Sequence, residues 1–204
     1  MNIKRLALFV CMALCFALIL FVPASGYQKV LAQKILRFHV VANSNSYEDQ
    51  QLKLQVRDQV TAYLSDKLHG CQTLEESRAV IEKELPSIEQ VARECVAASG
   101  FDYAVSAAVR ERYFPVKTYG EMTFPRGYYE ALTIDIGAGA GRNWWCVLFP
   151  NLCFTDAVSA CVPSDSRHLL ENELDEESYA ALYEGENVQI RFKLGEIIED
   201  LFSE

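Results

Sequence analysis

The sequence has few positively charged residues and few histidines. Lysine and arginine number 19 against 28 aspartates and glutamates, which gives a formal net charge of −9. A nucleic-acid-binding protein needs clustered lysine and arginine to neutralise phosphates, and no such cluster occurs, so nucleic acid is not an expected partner. The three histidines, His39, His69 and His168, lack the spacing of metal ligands, so we expect no metal site.

The motifs of common enzyme classes are also missing. No Gly-x-Ser-x-Gly nucleophile elbow accompanies His39. The glycine run Gly137–Gly141 lacks the third spacing of the dinucleotide fingerprint and the Lys-Ser/Thr of a P-loop, and we interpret it as a hairpin turn. Glu130 and Asp135 share a predicted strand but face opposite sides, so they do not form a glycosidase pair. We therefore expect no catalytic residue and no cofactor.

The N-terminus reads as an export segment. Lys4 and Arg5 precede an uncharged run from Leu6 to Val22, which small residues follow. A helix over this run covers about 25 Å, so the segment also suits an uncleaved anchor. We expect residues 1–26 to be a signal or membrane anchor and residues 27–204 to form one exported domain.

Five of the seven cysteines lie beyond this segment, and an odd number leaves at least one unpaired in a monomer. Cys146 and Cys153 flank Pro150, which favours a turn that brings them together. Export makes a Cys146–Cys153 disulfide one interpretation, and buried thiols are the alternative. The pattern leaves this choice open.

Hydrophobic periodicity predicts strands on both sides of a helical block. A tether at residues 27–34 leads into a strand over Ile35–Ala42 and a turn at Asn43–Ser46. Two helices follow, the first with a capping box of Ser46 and Asp49 and the second with one of Thr73 and Glu76. The second helix contains Pro86 and should kink or split there. Further strands are predicted over residues 103–113, 128–136, 143–149 and 188–194, a short helix over 176–183, a helical tail over 196–202, and an acidic connector over 156–185. This order indicates an α/β or α+β domain with a mixed sheet.

Trp144 and Trp145 stand next to each other in a strand, so their side chains point to opposite faces. One interpretation is a central strand that is covered on both faces. The other is that one indole is an exposed anchor for a partner. Tyr128 and Tyr129 are likewise adjacent on a predicted strand, and the wider aromatic set includes Tyr119. Because aromatics are favoured at interfaces, a recognition domain is favoured over an enzyme.

Three groups of residues carry a resemblance to a known family. The first runs from Phe38 to Ser46 and continues from Asp49 to Asp58. The second comprises Tyr113–Pro115, Tyr119–Gly120 and the pattern Pro125-x-Gly127-x-Tyr129-Glu130-Ala131-Leu132, and the third is Asn143–Pro150 followed by Leu152–Phe154. In these motifs the chain resembles stage II sporulation protein R.

The resemblance implies an exported signalling protein of endospore-forming bacteria rather than an enzyme. Such a protein is made in the forespore and delivered across the forespore membrane into the space between the two membranes. There it activates a membrane-embedded aspartic protease of the mother cell, which then cuts the precursor of sigma factor E. An exported peptidoglycan hydrolase is the alternative from another class.

Within this interpretation the motif residues receive two roles. Trp144, Trp145, Arg57, Tyr119 and Tyr129 are candidates for contact with the partner. Asn43, Ser44, Asp58, Gly120 and Gly127 are expected to hold the structure, with Asn43–Ser44 and Arg57–Asp58 fixing one edge of the domain. Arg57 either bridges to the turn at Asn43, which is the favoured arrangement because semi-buried polar groups satisfy their neighbours, or contacts the partner.

Overall fold

The computed structural model describes residues 26–153, 162 and 164–183. Its helices are α1 (Gly26–Ala32), α2 (Tyr47–Leu68), α3 (Leu74–Ala98), α4 (Ser164–Glu173) and α5 (Glu176–Tyr183). Its strands are β1 (Leu36–Val41), β2 (Val105–Phe114), β3 (Lys117–Tyr119), β4 (Met122–Phe124), β5 (Gly127–Ile136) and β6 (Asn143–Phe149). The predicted α/β domain with a mixed sheet and a helical block after the first strand is confirmed.

The main sheet has the strand order β2-β5-β1-β6. Strand β1 pairs in parallel with β5 and antiparallel with β6, while β2 pairs antiparallel with β5. Strands β3 and β4 form a separate two-stranded hairpin, with Gly120 at a φ of 57° in its turn. Strand β1 lies between β5 and β6, so the segment Gly137–Gly141 that links β5 to β6 crosses the end of β1. The prediction that this segment forms a hairpin turn is therefore wrong.

Two cores lie on opposite faces of this sheet. Helices α2 and α3 cover one face, and their apolar residues pack on Phe38, Val40, Leu132 and Ile134. The hairpin and helices α1, α4 and α5 lie with the other face, whose core includes Phe114, Tyr129 and Val147. The β1 strand is buried along its whole length because it contributes to both cores.

The helices differ from expectation in three places. The expected tether at 27–34 contains α1, and its Leu31 is buried. The acidic connector contains α4 in addition to the predicted short helix α5. Helix α3 runs through Pro86 without being split, because Pro86 lies on its exposed side while Ile81, Ile88 and Ala92 pack in the core.

The ends of the chain bear on the remaining expectations. The export segment at 1–26, except Gly26, and the predicted elements at 188–194 and 196–202 lie outside the described residues. Among the helices that are described, none has the length and apolarity needed to cross a membrane. In the described part of the sheet, the strand with both tryptophans lies at one edge rather than in the centre.

Candidate functional site

Asn43 organises the end of the sheet where β1 and β5 both finish. Its side-chain oxygen accepts a hydrogen bond from the Ala138 amide at 2.9 Å, and its side-chain nitrogen donates to Asp49 Oδ2 at 2.9 Å. Its backbone oxygen accepts from the Ala140 amide at 3.1 Å. Asn45 extends the arrangement, because its side-chain oxygen accepts from the Arg142 amide at 2.8 Å. Together these bonds tie the glycine segment to the turn after β1.

Asp49 is buried beneath this turn at the start of α2. The helix begins at Ser46, whose hydroxyl accepts from the Asp49 amide at 3.2 Å, as the predicted cap requires. Burial opposes ionisation of the Asp49 carboxyl, but hydrogen bonds from Ser44, Asn43 and other neighbours outweigh it and lower its pKa. The reciprocal half of the predicted capping box is not formed, because the Ser46 amide donates to the Ser44 hydroxyl at 3.1 Å rather than to the Asp49 carboxylate. Asp49 therefore couples the helix to the sheet.

Lys53 completes the same connection one turn further along α2. It is buried, and its ammonium donates to Gln50 Oε1 at 2.7 Å and to the Arg142 carbonyl oxygen at 3.2 Å. Gln50 in turn donates to the Ser44 carbonyl oxygen at 2.9 Å. Burial lowers the pKa of Lys53, and Arg57 and Arg142 reinforce the shift. The predicted structural role of Asn43 and Ser44 fits these contacts.

Arg57 does not bridge to Asn43, so the favoured arrangement was wrong. Its guanidinium pairs with Asp58 at 2.6 Å and lies 5.1 Å from the ring centroid of Trp144. The Phe38 ring also packs on Trp144, in an edge-on contact with the ring centroids 5.6 Å apart. Trp144 is half-buried on the α2–α3 side of the sheet, because Arg57 covers part of its ring. These two residues form a half-buried cation–π pair, and both are residue types that recognition surfaces favour.

Trp145 packs on the opposite face against a buried histidine. Its ring stacks on His39 with centroids 4.0 Å apart and an interplanar angle of 8°. His39 is 5% exposed, and neither ring nitrogen makes a hydrogen bond to a described residue, although Asn143 lies close. Burial lowers the pKa of His39 to about 4, with Arg112 and Arg110 acting in the same direction and Asn143 and Asp135 opposing them. His39 is therefore neutral at neutral pH.

A buried arginine lies next to His39 on the same face of the sheet. Arg37 is 0% exposed, its Nε donates to the Cys146 carbonyl oxygen at 2.9 Å, and one Nη donates to the Tyr119 hydroxyl at 3.3 Å. No carboxylate pairs with it among the described residues. Four aromatic rings instead surround its guanidinium carbon at 4.3 to 5.9 Å, namely Phe114, Tyr129, Phe124 and Tyr119.

This arrangement bears differently on the two tyrosines that were expected to contact the partner. Tyr129 is buried, and its hydroxyl donates to the Pro125 carbonyl oxygen at 2.7 Å, so it presents no surface to a partner and that expectation is corrected. Tyr119 donates to the Trp145 carbonyl oxygen at 3.1 Å, and burial raises the pKa of its phenol while Arg37 opposes the shift. Tyr119 is half-buried, and its contact with a partner stays a prediction.

The remaining motif residues lie near the same interior. Gly127 is in close contact with Gln28, so a Cβ there would collide with the end of that side chain. Cys146 and Cys153 are free thiols, so of the two interpretations left open by the sequence the structure shows thiols rather than a disulfide. Cys153 Sγ donates to the Val147 carbonyl oxygen at 2.9 Å, and burial raises the pKa of this thiol. Asp58 is exposed and holds Arg57 rather than the Asn43 turn.

The sequence interpretation missed Arg37, Lys53, Arg110 and Arg112 as residues of interest. Arg37 and His39 are two positions apart in an otherwise apolar strand, which places both on one face and could have identified them. Arg110 and Arg112 flank Asp135 on that same face, and both pair with its carboxylate. Within the described residues, no group of histidine, cysteine and acidic side chains is arranged to hold a metal ion.

Comparisons with known proteins agree with the motifs. A family profile described as Stage II sporulation protein R matches residues 32–159. The Stage II sporulation protein R of Bacillus subtilis (strain 168) is 35% identical over 188 residues, which cover 85% of this chain and 84% of that protein. No solved structure matches the chain.

Proposed function

The chain belongs to the stage II sporulation protein R family, and from this premise we propose that it is an exported signal that activates a membrane-embedded aspartic protease. Its role lies in sporulation. The protease, in the mother cell, then processes the precursor of sigma factor E. The N-terminal segment carries the protein across the forespore membrane, and the domain from residue 27 onward acts in the space between the membranes.

The observation that supports this proposal is that the family match covers a well-ordered part of the surface. Residues 32–159 contain the Asn43 turn, the glycine segment and the half-buried pair of Arg57 and Trp144. Parallel strands β1 and β5 end at the same edge of the sheet, and β6 begins there. The hydrogen bonds of Asn43 and Asn45 hold the segments between these strands in one conformation. A fixed surface loses little entropy on binding, which suits a protein that acts by contact.

Activation by contact sets a thermodynamic requirement. A protein that binds the active and inactive states of the protease equally does not change the equilibrium between them. This domain must therefore bind the active state more tightly. Each tenfold increase in the active fraction needs about 1.4 kcal/mol of preferential binding. Truncation of a tryptophan or an arginine at an interface hot spot costs about 2 kcal/mol or more of binding, so a contact of Arg57 or Trp144 with the active protease would supply a difference of this size.

Reconstitution tests the proposal. The exported protein, the membrane protease and the sigma precursor are produced together in a non-sporulating host, and precursor cleavage is followed with and without this protein. We expect cleavage only when the protein is present and exported. Absence of cleavage, with both partners shown to be in place, would contradict the proposal, and release of fragments from peptidoglycan by the purified domain would then favour a hydrolase.

A matched pair of variants locates the contact. Arg57→Ala removes the guanidinium over Trp144, and because its contacts are local we expect a nearly unchanged melting temperature with strongly reduced cleavage. Arg93→Ala is the control, since Arg93 on α3 pairs with no described residue except Glu89, at the surface. Full activity of Arg57→Ala would remove this residue from the interface while leaving the signalling function itself intact.

A further inference from the structure

The outer edge of β2 has backbone groups that no described residue satisfies. The pairing of β2 with β5 is continuous from Val105 to Phe114. The Ala107 amide points away from β5, because it donates to Glu89 Oε2 on α3 at 3.1 Å. Amide directions alternate along an antiparallel strand, so the amides of Val109, Glu111 and Tyr113 point the same way. These three have no hydrogen-bond partner among the described residues.

The two faces of this edge differ in chemistry. Arg110 and Arg112 project onto the face that carries Asp135, and the Nε of each is buried without a hydrogen-bond partner in the described structure. Glu111 and Tyr113 project onto the opposite face by the alternation of the strand. There Tyr113 meets Tyr128 edge-on at 5.5 Å, and the two side chains are 49% and 61% exposed.

Charged residues on an edge strand can also serve only to prevent aggregation. The side chains of Arg110 and Arg112 are 37% and 40% exposed, as that role requires. The Nε of each is nevertheless a buried donor that lacks an acceptor in the described structure, and prevention of aggregation does not call for such donors. Two cations share one carboxylate, Asp135, so the surplus is of donors and positive charge. A carboxylate of a partner would accept hydrogen bonds from these donors and would also balance the positive charge.

We propose that the outer edge of β2, from Val109 to Tyr113, binds an extended acidic segment of a partner protein, which adds to the sheet as a further strand. Its backbone bonds to the three outward amides and their carbonyls, as in other strand additions. Its alternate side chains are acidic toward Arg110 and Arg112 and apolar toward Tyr113. The identity of the partner as the protease rests on the proposed function, while the acidic and apolar alternation follows from β2 itself.

The chain's own predicted strand at 188–194 is a poor match for this edge. Its apolar residues alternate with Gln189, Arg191 and Lys193. With the apolar side toward the tyrosines, Arg191 and Lys193 would face Arg110 and Arg112, and like charges on neighbouring strands are destabilising. An acidic segment from another molecule has the complementary charge.

Peptide binding to the exported domain tests the inference without the protease. The probe is a capped peptide of about nine residues that alternates glutamate and valine, the length of an ordinary strand. The controls are the same peptide with lysine for glutamate and a peptide with all glutamates placed before all valines. Calorimetry measures affinity, and amide hydrogen exchange reports on Val109, Glu111 and Tyr113. We expect binding of the alternating acidic peptide alone, with slowed exchange at these amides.

Three variants separate the contributions. Arg110→Gln with Arg112→Gln should weaken binding by roughly tenfold or more, since hydrogen bonds to charged groups are the stronger kind. Glu111→Pro removes one outward amide and leaves the pairing with β5 in place, as proline at a sheet edge allows, and it should abolish binding. Glu111→Gln keeps the amide and should bind normally. Thermal melts identify any variant that fails to fold.

The outcomes are distinguishable from those of the reconstitution. Equal binding of the acidic and basic peptides, no binding of the acidic peptide at millimolar concentration, or normal binding by a folded Glu111→Pro variant would each overturn the inference. Signalling in the reconstituted system could then still hold through another surface. Peptide binding without signalling would retain the edge site and reject the proposed function.

Discussion

At the scale of single residues, the main feature is a set of polar side chains inside the apolar strand β1 and its neighbours. Arg37 is held by aromatic rings, the Cys146 carbonyl oxygen and the Tyr119 hydroxyl rather than by a carboxylate of a described residue. His39 lies between Trp145 and Phe114 and is neutral at neutral pH. A buried charge without an ionic partner is costly, so these positions constrain the surrounding packing more than an aliphatic residue would.

The histidine gives the stability of the domain a predictable pH dependence. His39 has a folded-state pKa of about 4 against about 6.5 when unfolded, so between these values the unfolded chain binds a proton that the folded domain does not. Stability is therefore fully present above pH ~6.5 and decreases as the pH falls toward ~4, by about 1.4 kcal/mol per unit.

Urea unfolding at pH 7 and at pH 4.5 measures this loss. His39→Gln should remove most of it, because it eliminates the titrating group. His69→Gln is the control, since His69 is exposed, and it should behave like the unmodified protein. Asp49 contributes mainly at lower pH, because a carboxyl with a lowered pKa loses its stabilising effect chiefly as the pH falls below the ordinary aspartate value of about 3.9. An unchanged pH dependence in His39→Gln would refute the assignment.

At the scale of elements, the crossing from β5 to β6 depends on close approach of the backbone. Gly137 and Gly139 both have a φ of 59°, a conformation that favours glycine. At Gly141 there is no room for a side chain, because a Cβ would overlap the Ser44 carbonyl oxygen. This oxygen belongs to the backbone and cannot move aside as a flexible side chain could. The segment thus packs against the turn after β1 at a distance that only glycine permits.

Gly141→Ala should therefore destabilise the domain by about 1–3 kcal/mol through displacement of the segment. Gly70→Ala is not a matched control because its φ is 94°. Ala138→Ser is suitable instead, since Ala138 is exposed on the same segment. Urea midpoints of the two variants provide the comparison, and equal stability of Gly141→Ala and the parent protein would contradict the close approach.

At the scale of the whole molecule, one sheet serves two cores. Phe38 and Val40 face α2 and α3, whereas Arg37 and His39 face the other side of the same strand. Neither core is complete without β1 and β5, so separation of the layers would expose both. We expect the domain to unfold in a single cooperative transition.

The two tryptophans provide a reporter for each core. Trp144 packs with the core under α2 and α3, and Trp145 packs with the other one. In Trp145→Phe the fluorescence comes from Trp144 alone, and in Trp144→Phe it comes from Trp145 alone. For each variant, urea unfolding is followed both by this fluorescence and by circular dichroism. The two midpoints should coincide within each variant. A midpoint that differs between the two probes within one variant would show that the cores unfold separately.

Much of the secondary structure followed from the sequence because local signals specify it. The caps at Ser46 and Thr73 and the strands around Phe38 and Tyr129 lie where periodicity and capping predicted them. The family also followed, because the motifs are long and ordered. These features depend on residues that are neighbours in the chain, and such interactions are readable without a fold.

Only the tertiary structure decided which residues meet across the sheet. The insertion of β1 between β5 and β6 turned an apparent hairpin glycine segment into a crossing that Asn43 fixes. It placed Tyr119 and Tyr129 around Arg37, and Arg57 over Trp144 rather than at Asn43. Strand order and register depend on contacts between residues that are far apart in the chain, so the same local pattern is compatible with several pairings. The packing of two cores on one sheet selects among them.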